Sequence, residues 1–313
     1  MMFTAEDYQL LDFGDGRRLE RFGQFVLDRP CPAAEAFRRV NLELWGHADA
    51  RFEGRDEQRG EWTDRSELPE RWVVAYGRLR FELKRTEFGH LGLFPEQAEN
   101  WDWITQQNGL PASHERSGSA GVSAAIRILN LFAYTGGSTL AAAAAGAEVV
   151  HVDAAKNVVA WARKNAQLSG LADAPIRWIA EDAVKFVKRE LKRGNRYDAV
   201  ILDPPSYGHG PRGEVWRLSK HLPRLLDLCA ELTDGRPRFM LLTCHTPGYD
   251  AKSLRQMMSE TFGNVNNIVA KQLPIRASDG RPLPSGVRVR CETASGCKAF
   301  NSESTSPGSF PCH

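Results

Sequence analysis

The chain has 313 residues, of which 42% are hydrophobic and 26% charged, and its formal net charge is +2. This length allows one large domain or two smaller ones with a packed core, and the near-neutral charge does not by itself demand a polyanionic partner. The longest alanine run, Ala141–Ala145, is too short to span a bilayer, so no membrane segment is predicted. Residues 1–10 carry Glu6 and Asp7 and lack an apolar core, which predicts no signal peptide.

Six cysteines are present, and none of them forms a Cys-x-x-Cys pair. This usage predicts reduced thiols and a cytoplasmic protein. Cys291, Cys297, Cys312 and His313 match no zinc-binding spacing, so no metal site is predicted.

The first 120 residues follow an irregular pattern and are predicted to form an N-terminal accessory region. Within it, Trp72–Lys84 (WVVAYGRLRFELK) partly alternates apolar and polar residues, which indicates a strand or a β-hairpin. Phe94–Ile104 (FPEQAENWDWI) is typical of a short helix that starts after a proline. Pro111–Gly121 is small and polar and is predicted to be a linker.

From Arg127 onward, strands and helices alternate. This order predicts an α/β fold with a mostly parallel sheet and helices on both faces, over residues 121–290. The predicted strands are Ile128–Phe132, Val149–Asp153, Ile176–Ala180, Tyr197–Asp203, Arg238–Cys244 and Val265–Leu273. The predicted helices are Ser138–Ala145, Ala155–Leu168, Ala183–Leu191, Glu214–Leu232 and Ala251–Thr261. The Ser-rich tail, residues 291–313, is predicted to be disordered.

A glycine-containing turn, Asn130–Gly137 (NLFAYTGG), follows the first of these strands. Glycines here let backbone amides approach a ligand, and the next helix offers its positive N-terminus. Asp153 ends the second strand about 20 residues later, where such folds place the acid that holds ribose hydroxyls; its alternative role is a helix cap. Asp182 either accepts a hydrogen bond from an adenine amine or caps the helix that begins at Ala183. The turn is not Gly-x-Gly-x-x-Gly, which argues against a nicotinamide cofactor.

The fourth predicted strand leads directly into Asp203–Gly208 (DPPSYG). Because prolines fix the backbone and remove N–H donors, this segment leaves a rigid edge of carbonyl acceptors beside a carboxylate. Such an edge suits the polar edge of a base, and Tyr207 is placed to stack on the base. A rigid loop without chemistry is the alternative interpretation.

Four segments together resemble the class I S-adenosylmethionine-dependent methyltransferases. They are Leu129–Gly137 (LNLFAYTGG), Val152–Ala155 (VDAA), Ala180–Ala183 (AEDA) and Asp203–Tyr207 (DPPSY). They most resemble the bacterial large-subunit ribosomal RNA methyltransferases with an Asp-Pro-Pro signature, which include cytosine-carbon-5 and guanine-N7 enzymes. Gly89–Trp101 (GHLGLFPEQAENW) resembles the segment that such enzymes fold over the cofactor. The resemblance implies a Rossmann-like, doubly wound, seven-stranded sheet preceded by a smaller β-containing region.

The resemblance also implies S-adenosyl-L-methionine as the cofactor and RNA, foremost ribosomal RNA, as the partner. It assigns Asp153 to the ribose and Asp182 to the adenine of the cofactor. The residues expected to flank the cofactor or hold its methionine part are Phe94, Gln97, Asn130, Phe132, Tyr134 and Gly136. The residues expected to act in transfer are Asp203, Pro204, Pro205, Tyr207 and Cys244, and Asp203 is expected to contact the cofactor as well.

The base that accepts the methyl group stays open. Guanine N7 carries a lone pair and needs little more than alignment. Cytosine carbon-5 is a poor nucleophile and needs a cysteine to add to the ring first. Cys244, at the end of the fifth strand, lies where cytosine-specific relatives place that nucleophile, and His245 beside it is a candidate for lowering its pKa. An ordinary buried strand cysteine is the alternative, and Cys-His-Thr-Pro replaces the expected Thr-Cys-Ser continuation.

RNA binding requires a basic surface, and the N-terminal region carries an arginine cluster with phenylalanines between. The residues are Arg17, Arg18, Arg21, Arg29, Arg38, Arg39, Phe13, Phe22 and Phe25. Base stacking is one interpretation, but the interleaved acids favour a solvated, salt-bridged surface. Two other function classes stay open, a catalytically silent RNA-binding module with the same fold and a nicotinamide-dependent oxidoreductase. The sequence does not predict the oligomeric state.

Overall fold

The computed structural model describes residues 3–54, 59–108, 125–209, 213–263 and 267–292. The predicted linker, the proposed domain boundary near residue 120 and most of the predicted tail lie outside these ranges. No helix within them is long and apolar enough to cross a membrane.

The N-terminal region is built on a five-stranded sheet with the order β1-β2-β3-β4-β5. Neighbouring strands are antiparallel except for β3 and β4, which pair in parallel. A short helix, α1 (Leu42–Gly46), precedes β4. The strands are β1 (Tyr8–Gly14), β2 (Arg17–Phe22), β3 (Phe25–Pro30), β4 (Ala50–Glu53) and β5 (Glu61–Asp64). The β-containing region is therefore confirmed, although no sequence pattern predicted the individual strands of this sheet.

The phenylalanines of this sheet are core residues. Phe13 and Phe22 are fully buried and Phe25 is 8% exposed, so none of them can stack on a base. Aromatic rings bury a large apolar area, which explains why they pack in the core and do not lie on the surface. Ion pairs cover part of the sheet, as the sequence indicated, but the pair of Arg29 and Glu20 is buried rather than solvated.

The predicted hairpin is confirmed as β6 (Arg71–Tyr76) and β7 (Leu79–Lys84), which pair antiparallel. The predicted short helix begins as a 3-10 turn at Pro95–Gln97 and continues as α2 (Ala98–Asn108). One hydrophobic cluster joins the N-terminal sheet, the hairpin and Trp101 of α2 to helices and strands of the larger sheet.

The larger sheet has seven strands in the order β10-β9-β8-β11-β14-β16-β15. Its strands are β8 (Arg127–Leu131), β9 (Glu148–Asp153), β10 (Ile176–Ala180), β11 (Ala199–Leu202), β14 (Phe239–Cys244), β15 (Asn267–Arg276) and β16 (Pro282–Glu292). Its helices are α3 (Gly137–Ala144), α4 (Lys156–Leu168), α5 (Ala183–Lys192), α6 (Leu218–Leu232) and α7 (Ala251–Thr261). A small antiparallel ribbon, β12 (Tyr207–His209) and β13 (Val215–Arg217), lies between β11 and α6.

Five neighbouring strands of this sheet, from β10 to β14, are parallel, whereas β16 runs antiparallel to both β14 and β15. The strand order reverses on either side of β8, which makes this sheet doubly wound, and its central strands are buried as expected when helices cover both faces. The predicted Rossmann-like class is confirmed. The turns that follow β8, β9, β11 and β14 meet at the carboxyl edge of the parallel strands, where α/β proteins bind ligands.

Two elements differ from the sequence pattern. The helix predicted over Glu214–Leu232 begins only at Leu218, because Val215–Arg217 pairs with the strand that follows the Asp-Pro-Pro segment. The strand Pro282–Glu292 was not predicted, since its two prolines and a glycine are unusual in a strand. Cys291, assigned to the tail, is fully buried in this strand.

Candidate active site

The turn after β8 has an unusual backbone. Phe132, Tyr134 and Gly136 have φ angles of 55°, 49° and 93°. Non-glycine residues rarely adopt positive φ, and they keep it where surrounding contacts hold them. One such contact is the hydroxyl of Thr135, which donates to the carbonyl oxygen of Gly92 at 2.7 Å. The turn therefore brings the start of α3 to the sheet edge in a fixed conformation.

A pocket lies between this turn, the start of α2 and the ends of β11 and β14; we call it the turn pocket. Its lining includes Phe94, Gln97, Asn130, Phe132, Tyr134, Gly136 and Asp203, all expected from the sequence to contact the cofactor. Thr243 and Trp101 line it as well. Asp153 and Asp182 are not part of this lining.

Asp153, at the end of β9, is tied to the turn. Its Oδ2 accepts a hydrogen bond from the backbone N–H of Tyr134 at 3.0 Å, and its Oδ1 accepts one from Ala155 at 2.9 Å. Burial raises the pKa of the Asp153 carboxyl, and the two backbone N–H groups oppose that rise. Each carboxylate oxygen accepts more than one hydrogen bond, so acceptor capacity for a hydroxyl remains.

Asp182 has the cap geometry that was its alternative role. Its side chain accepts a hydrogen bond from the N–H of Lys185 at 2.9 Å, at the N-terminus of α5. This bond satisfies a helix donor that would otherwise lack a partner. A role in adenine binding stays a prediction.

Asn130 begins a buried chain of polar side chains. Its amide donates to the hydroxyl of Thr139 at 2.9 Å, and that hydroxyl lies 2.9 Å from Nδ1 of His151. Burial lowers the pKa of His151 to about 3, so the imidazole is neutral. These hydrogen bonds fix the side-chain rotamer of Asn130, which lines the turn pocket.

Asp203, just after β11, is held by three side chains. Gln97 Nε2 donates to Oδ2 at 3.0 Å, and the hydroxyl of Thr243 donates to Oδ1. The imidazole Nε2 of His245 lies 3.4 Å from the same Oδ1. Charge-assisted hydrogen bonds of this kind fix a carboxylate strongly.

The two prolines after Asp203 form a rigid edge whose carbonyl groups are partly engaged within the protein. The carbonyl of Pro205 accepts from Trp216 Nε1 at 2.7 Å, and that of Ser206 accepts from the N–H of Leu218 at 3.0 Å. Tyr207 is 43% exposed, as a residue that stacks on a base must be. None of Pro204, Pro205 and Tyr207 lines the turn pocket.

Cys244 is 1% exposed and packs in the hydrophobic core beneath the sheet edge. Burial raises the pKa of its thiol, although hydrogen bonds from Thr246 oppose the rise. His245 is not turned toward this thiol. Its Nε2 faces Asp203 and its Nδ1 contacts the carbonyl oxygen of Ser285. The suggestion that His245 lowers the pKa of Cys244 is therefore wrong.

A second, larger cavity of about 890 Å³ opens on the other side of this cluster; we call it the interdomain cleft. The N-terminal sheet, the turn Pro95–Gln97 and the loops after β14 and before β16 form its walls. Its polar lining includes Arg18, Arg29, His90, Glu96, Ser206, His245 and Asp250, and both Cys31 and Cys244 reach it. Glu20, fully buried, pairs with Arg29 and lies 3.2 Å from Arg18.

Several residues of this site were not identified from the sequence. Thr243 comes directly before Cys244, and the pairing of β11 with β14 places it beside Asp203, a relationship that a strand-order prediction would reveal. Glu96 lies within Gly89–Trp101, but the sequence alone indicates no role for it. Arg18 was treated as a surface residue, and nothing in its local sequence indicates that it reaches the cleft.

The chain is similar to known proteins. The sequence model of a family described as S-adenosylmethionine-dependent methyltransferase matches residues 44–247. The chain belongs to this family. A crystal structure of a methyltransferase of this kind from Agrobacterium tumefaciens is 37% identical, with a TM-score of 0.83, and the match covers 93% of this chain and 92% of that one. The predicted family and cofactor are confirmed.

The chain is also similar to curated ribosomal RNA methyltransferases over shorter stretches. It is 37% identical over 99 residues to ribosomal RNA large subunit methyltransferase I of Aeromonas hydrophila, which is 31% of this chain and 25% of that protein. It is 26% identical over 166 residues to ribosomal RNA large subunit methyltransferase K of Neisseria meningitidis, which is 52% of this chain and 42% of that protein. The chain thus spans less than half the length of each relative.

The lining of the turn pocket has the chemistry that S-adenosylmethionine requires, whereas its volume of about 40 Å³ is smaller than the cofactor needs. The first backbone N–H groups of α3, next to Gly136, suit the methionine carboxylate. The carboxylate of Asp203 offers a negative charge to the positive end of the cofactor. Asp153 accepts a hydrogen bond from Tyr134, which lines the pocket, and its role in ribose binding stays a prediction.

Proposed function

We propose that the chain transfers a methyl group from S-adenosylmethionine to a nucleobase in RNA, with ribosomal RNA as the first candidate. One relationship carries this proposal. Asp203 lines the turn pocket, His245 lines the interdomain cleft, and their side chains lie 3.4 Å apart. The cofactor pocket and a cavity for the acceptor therefore meet at one ion pair.

The cleft has the chemistry of a site for a polyanion that carries polar bases. Arg18 and Arg29 contribute positive charge from the N-terminal sheet, and His245 contributes it from the opposite wall. Guanidinium groups suit phosphate oxygens and base edges because they present several fixed donors. The names of the two curated relatives, both ribosomal RNA methyltransferases, support RNA as the partner.

Residues of this chain orient the methyl donor and the acceptor. S-adenosylmethionine, when bound, supplies a methyl group already activated on a sulfonium. Gln97 and Thr243 hold the carboxylate of Asp203 in one orientation, and Asp203 in turn holds the imidazole of His245. Orientation of donor and acceptor lowers a transfer barrier without any change in the groups themselves. Tyr207, exposed beyond the prolines, is placed to stack on a base.

Among acceptor bases, we favour one with a lone pair, such as guanine N7. Attack on cytosine carbon-5 needs the thiolate of a cysteine, and burial disfavours the thiolate of Cys244. His245, which would have to assist, is engaged with Asp203 and Ser285. Cys244 is among the residues that line the interdomain cleft, so the cytosine reaction is the second candidate.

Methylation mapping tests the proposal. Total RNA from cells that lack the protein should miss one base methylation, and the purified protein should restore it with labelled S-adenosylmethionine. The predicted cytoplasmic location belongs to the same proposal. If the protein binds the cofactor but no RNA position changes, it acts on another acceptor or as a silent module of the same fold, and the proposal is wrong.

A further inference from the structure

One carboxylate oxygen of Glu96 is buried beside the interdomain cleft without a hydrogen bond. Glu96 is 9% exposed, and its Oε2 has no hydrogen-bond partner within the described part of the chain. Buried carboxylates are normally paired or hydrogen-bonded, because desolvation of an unpaired charge is unfavourable. A lone carboxylate at the wall of a cavity is therefore expected to receive a donor from a ligand.

The turn that carries Glu96 has one conformation. The N–H of Gln97 donates to the carbonyl of Phe94, and that of Ala98 donates to Pro95. Gln97 lines the turn pocket and donates to Asp203, whereas Glu96 lines the interdomain cleft. Two consecutive residues thus line two adjoining cavities.

Donor groups from other segments line the same cleft. The charge of Glu96 acts on both Arg18 and His245, which line the cleft. Arg18 Nε lies 3.2 Å from Glu20 Oε2 but has no hydrogen-bond partner. A buried acceptor and a buried, ion-paired donor, neither with a hydrogen bond within the described residues, therefore belong to side chains that line one cavity.

We propose that Glu96 and Arg18 read the acceptor base, and that this base is guanine. This inference rests on the proposed function. Guanine presents a ring N–H next to an amino group, which together match the two oxygens of one carboxylate, and its carbonyl beside them accepts from a guanidinium. Adenine and cytosine place a ring-nitrogen acceptor next to their amino group, and uracil has one N–H between two carbonyls. When guanine is held by this edge, its N7 remains free to accept a methyl group.

Binding of the four ribonucleoside monophosphates to the protein loaded with S-adenosylhomocysteine tests the inference. Calorimetry or NMR titration should show that guanosine monophosphate binds best. Glu96→Gln replaces one acceptor oxygen by a donor, so guanosine monophosphate should bind about 10-fold more weakly or worse. Binding of uridine monophosphate and of S-adenosylhomocysteine should stay unchanged. Glu67→Gln, which removes the same charge from an exposed position, is the matched control.

Three outcomes would overturn the inference: equal binding of the four nucleotides, no binding of guanosine monophosphate, or an equal loss for all four in Glu96→Gln. The last would mean that Glu96 only balances charge in the cleft wall. The proposed function fails separately, if the wild-type protein does not methylate RNA. If the protein methylates RNA and its preference for guanine is the same in Glu96→Gln, the proposed function is retained and only the role of Glu96 is refuted.

Discussion

His245 Nε2 and Asp203 Oδ1 lie 3.4 Å apart, and this ion pair joins a residue that lines the turn pocket to one that lines the interdomain cleft. Each partner is held by a second contact, Asp203 by Thr243 and His245 by the carbonyl of Ser285. Burial lowers the pKa of His245, but the hydrogen bond and the charge of Asp203 outweigh it and raise the pKa to about 9. The imidazole is thus a cation at neutral pH and not a general base.

This pairing predicts a pH dependence. Because the pKa of His245 is raised above its ordinary value of 6.5, the ion pair contributes fully to the free energy of unfolding below about pH 6.5 and is lost as pH rises through about 9. The side chain is 35% exposed, so solvent screening keeps the contribution small. Imidazole NMR should give a raised titration midpoint that falls in Asp203→Asn, with exposed His47 unchanged as the reference. An ordinary midpoint in the wild type would contradict the pair.

Asp203→Ala should abolish methyl transfer while the affinity for S-adenosylhomocysteine falls much less. The carboxylate orients groups at the border of both cavities, so its loss removes alignment in the transition state more than binding in the ground state. Single-turnover transfer and calorimetry measure the two effects separately. Asp227→Ala, on an exposed face of α6, is the control. Near-normal turnover in a folded Asp203→Ala protein would exclude this residue from the reaction.

Asp153→Ala should weaken binding of both S-adenosylmethionine and its demethylated product. Loss of hydrogen bonds to ribose hydroxyls costs about 1–3 kcal/mol, roughly five- to 150-fold in affinity. The substitution also frees the N–H of Tyr134, which loosens the turn. Asp173→Ala, an exposed acid before β10, controls for charge. Unchanged affinity in the folded variant would show that the cofactor does not bind at the end of β9.

The sequence indicates which residues lie together in the turn pocket because several of them belong to one local turn. The turn Asn130–Gly137 directly follows a strand, and its ends fix where its side chains lie. The interdomain cleft depends on contacts between distant segments. Arg18 and Glu96 line one cavity although they are 78 residues apart in sequence, and no local pattern records that relationship.

Contacts between distant segments also explain why the strand Pro282–Glu292 was not predicted and why the predicted effect of His245 on Cys244 was wrong. Pro282–Glu292 is a strand because β14 and β15 flank it and supply its hydrogen bonds, although its own residues disfavour a strand. The orientation of His245 depends on Asp203 and on Ser285, both distant from it in sequence. Its proximity in sequence to Cys244 was therefore misleading.

Gly137→Ala should destabilise the fold. A Cβ at Gly137 would lie 2.6 Å from the ring of Trp101, which is itself 3% exposed and cannot move freely. Overpacking of this kind costs about 1–3 kcal/mol in the free energy of unfolding. Urea denaturation measures it, with Gly46→Ala as the control because a Cβ there meets nothing within 4 Å. Equal midpoints for the two variants would show that α2 and α3 are less tightly packed than described.

Cys244→Ala decides between the two candidate chemistries. If the acceptor has a lone pair, as we favour, the variant should keep most of its transfer activity and lose only about 1 kcal/mol of stability, because truncation of a buried cysteine removes one sulfur. Cys229→Ala, a fully buried thiol in α6 away from both cavities, is the matched control and should behave the same way.

If the acceptor is cytosine carbon-5, the two cysteine variants must differ. Cys244 would add to the ring before methyl transfer, so Cys244→Ala would lose essentially all activity while Cys229→Ala would keep it. RNA that contains 5-fluorocytosine would also trap a covalent adduct with the wild-type protein, because fluorine blocks the proton loss that releases the enzyme. The raised pKa of the Cys244 thiol argues against this outcome, since the thiolate is the attacking species. A trapped adduct, together with an inactive but folded Cys244→Ala protein, would refute both the lone-pair acceptor and the reading of guanine by Glu96.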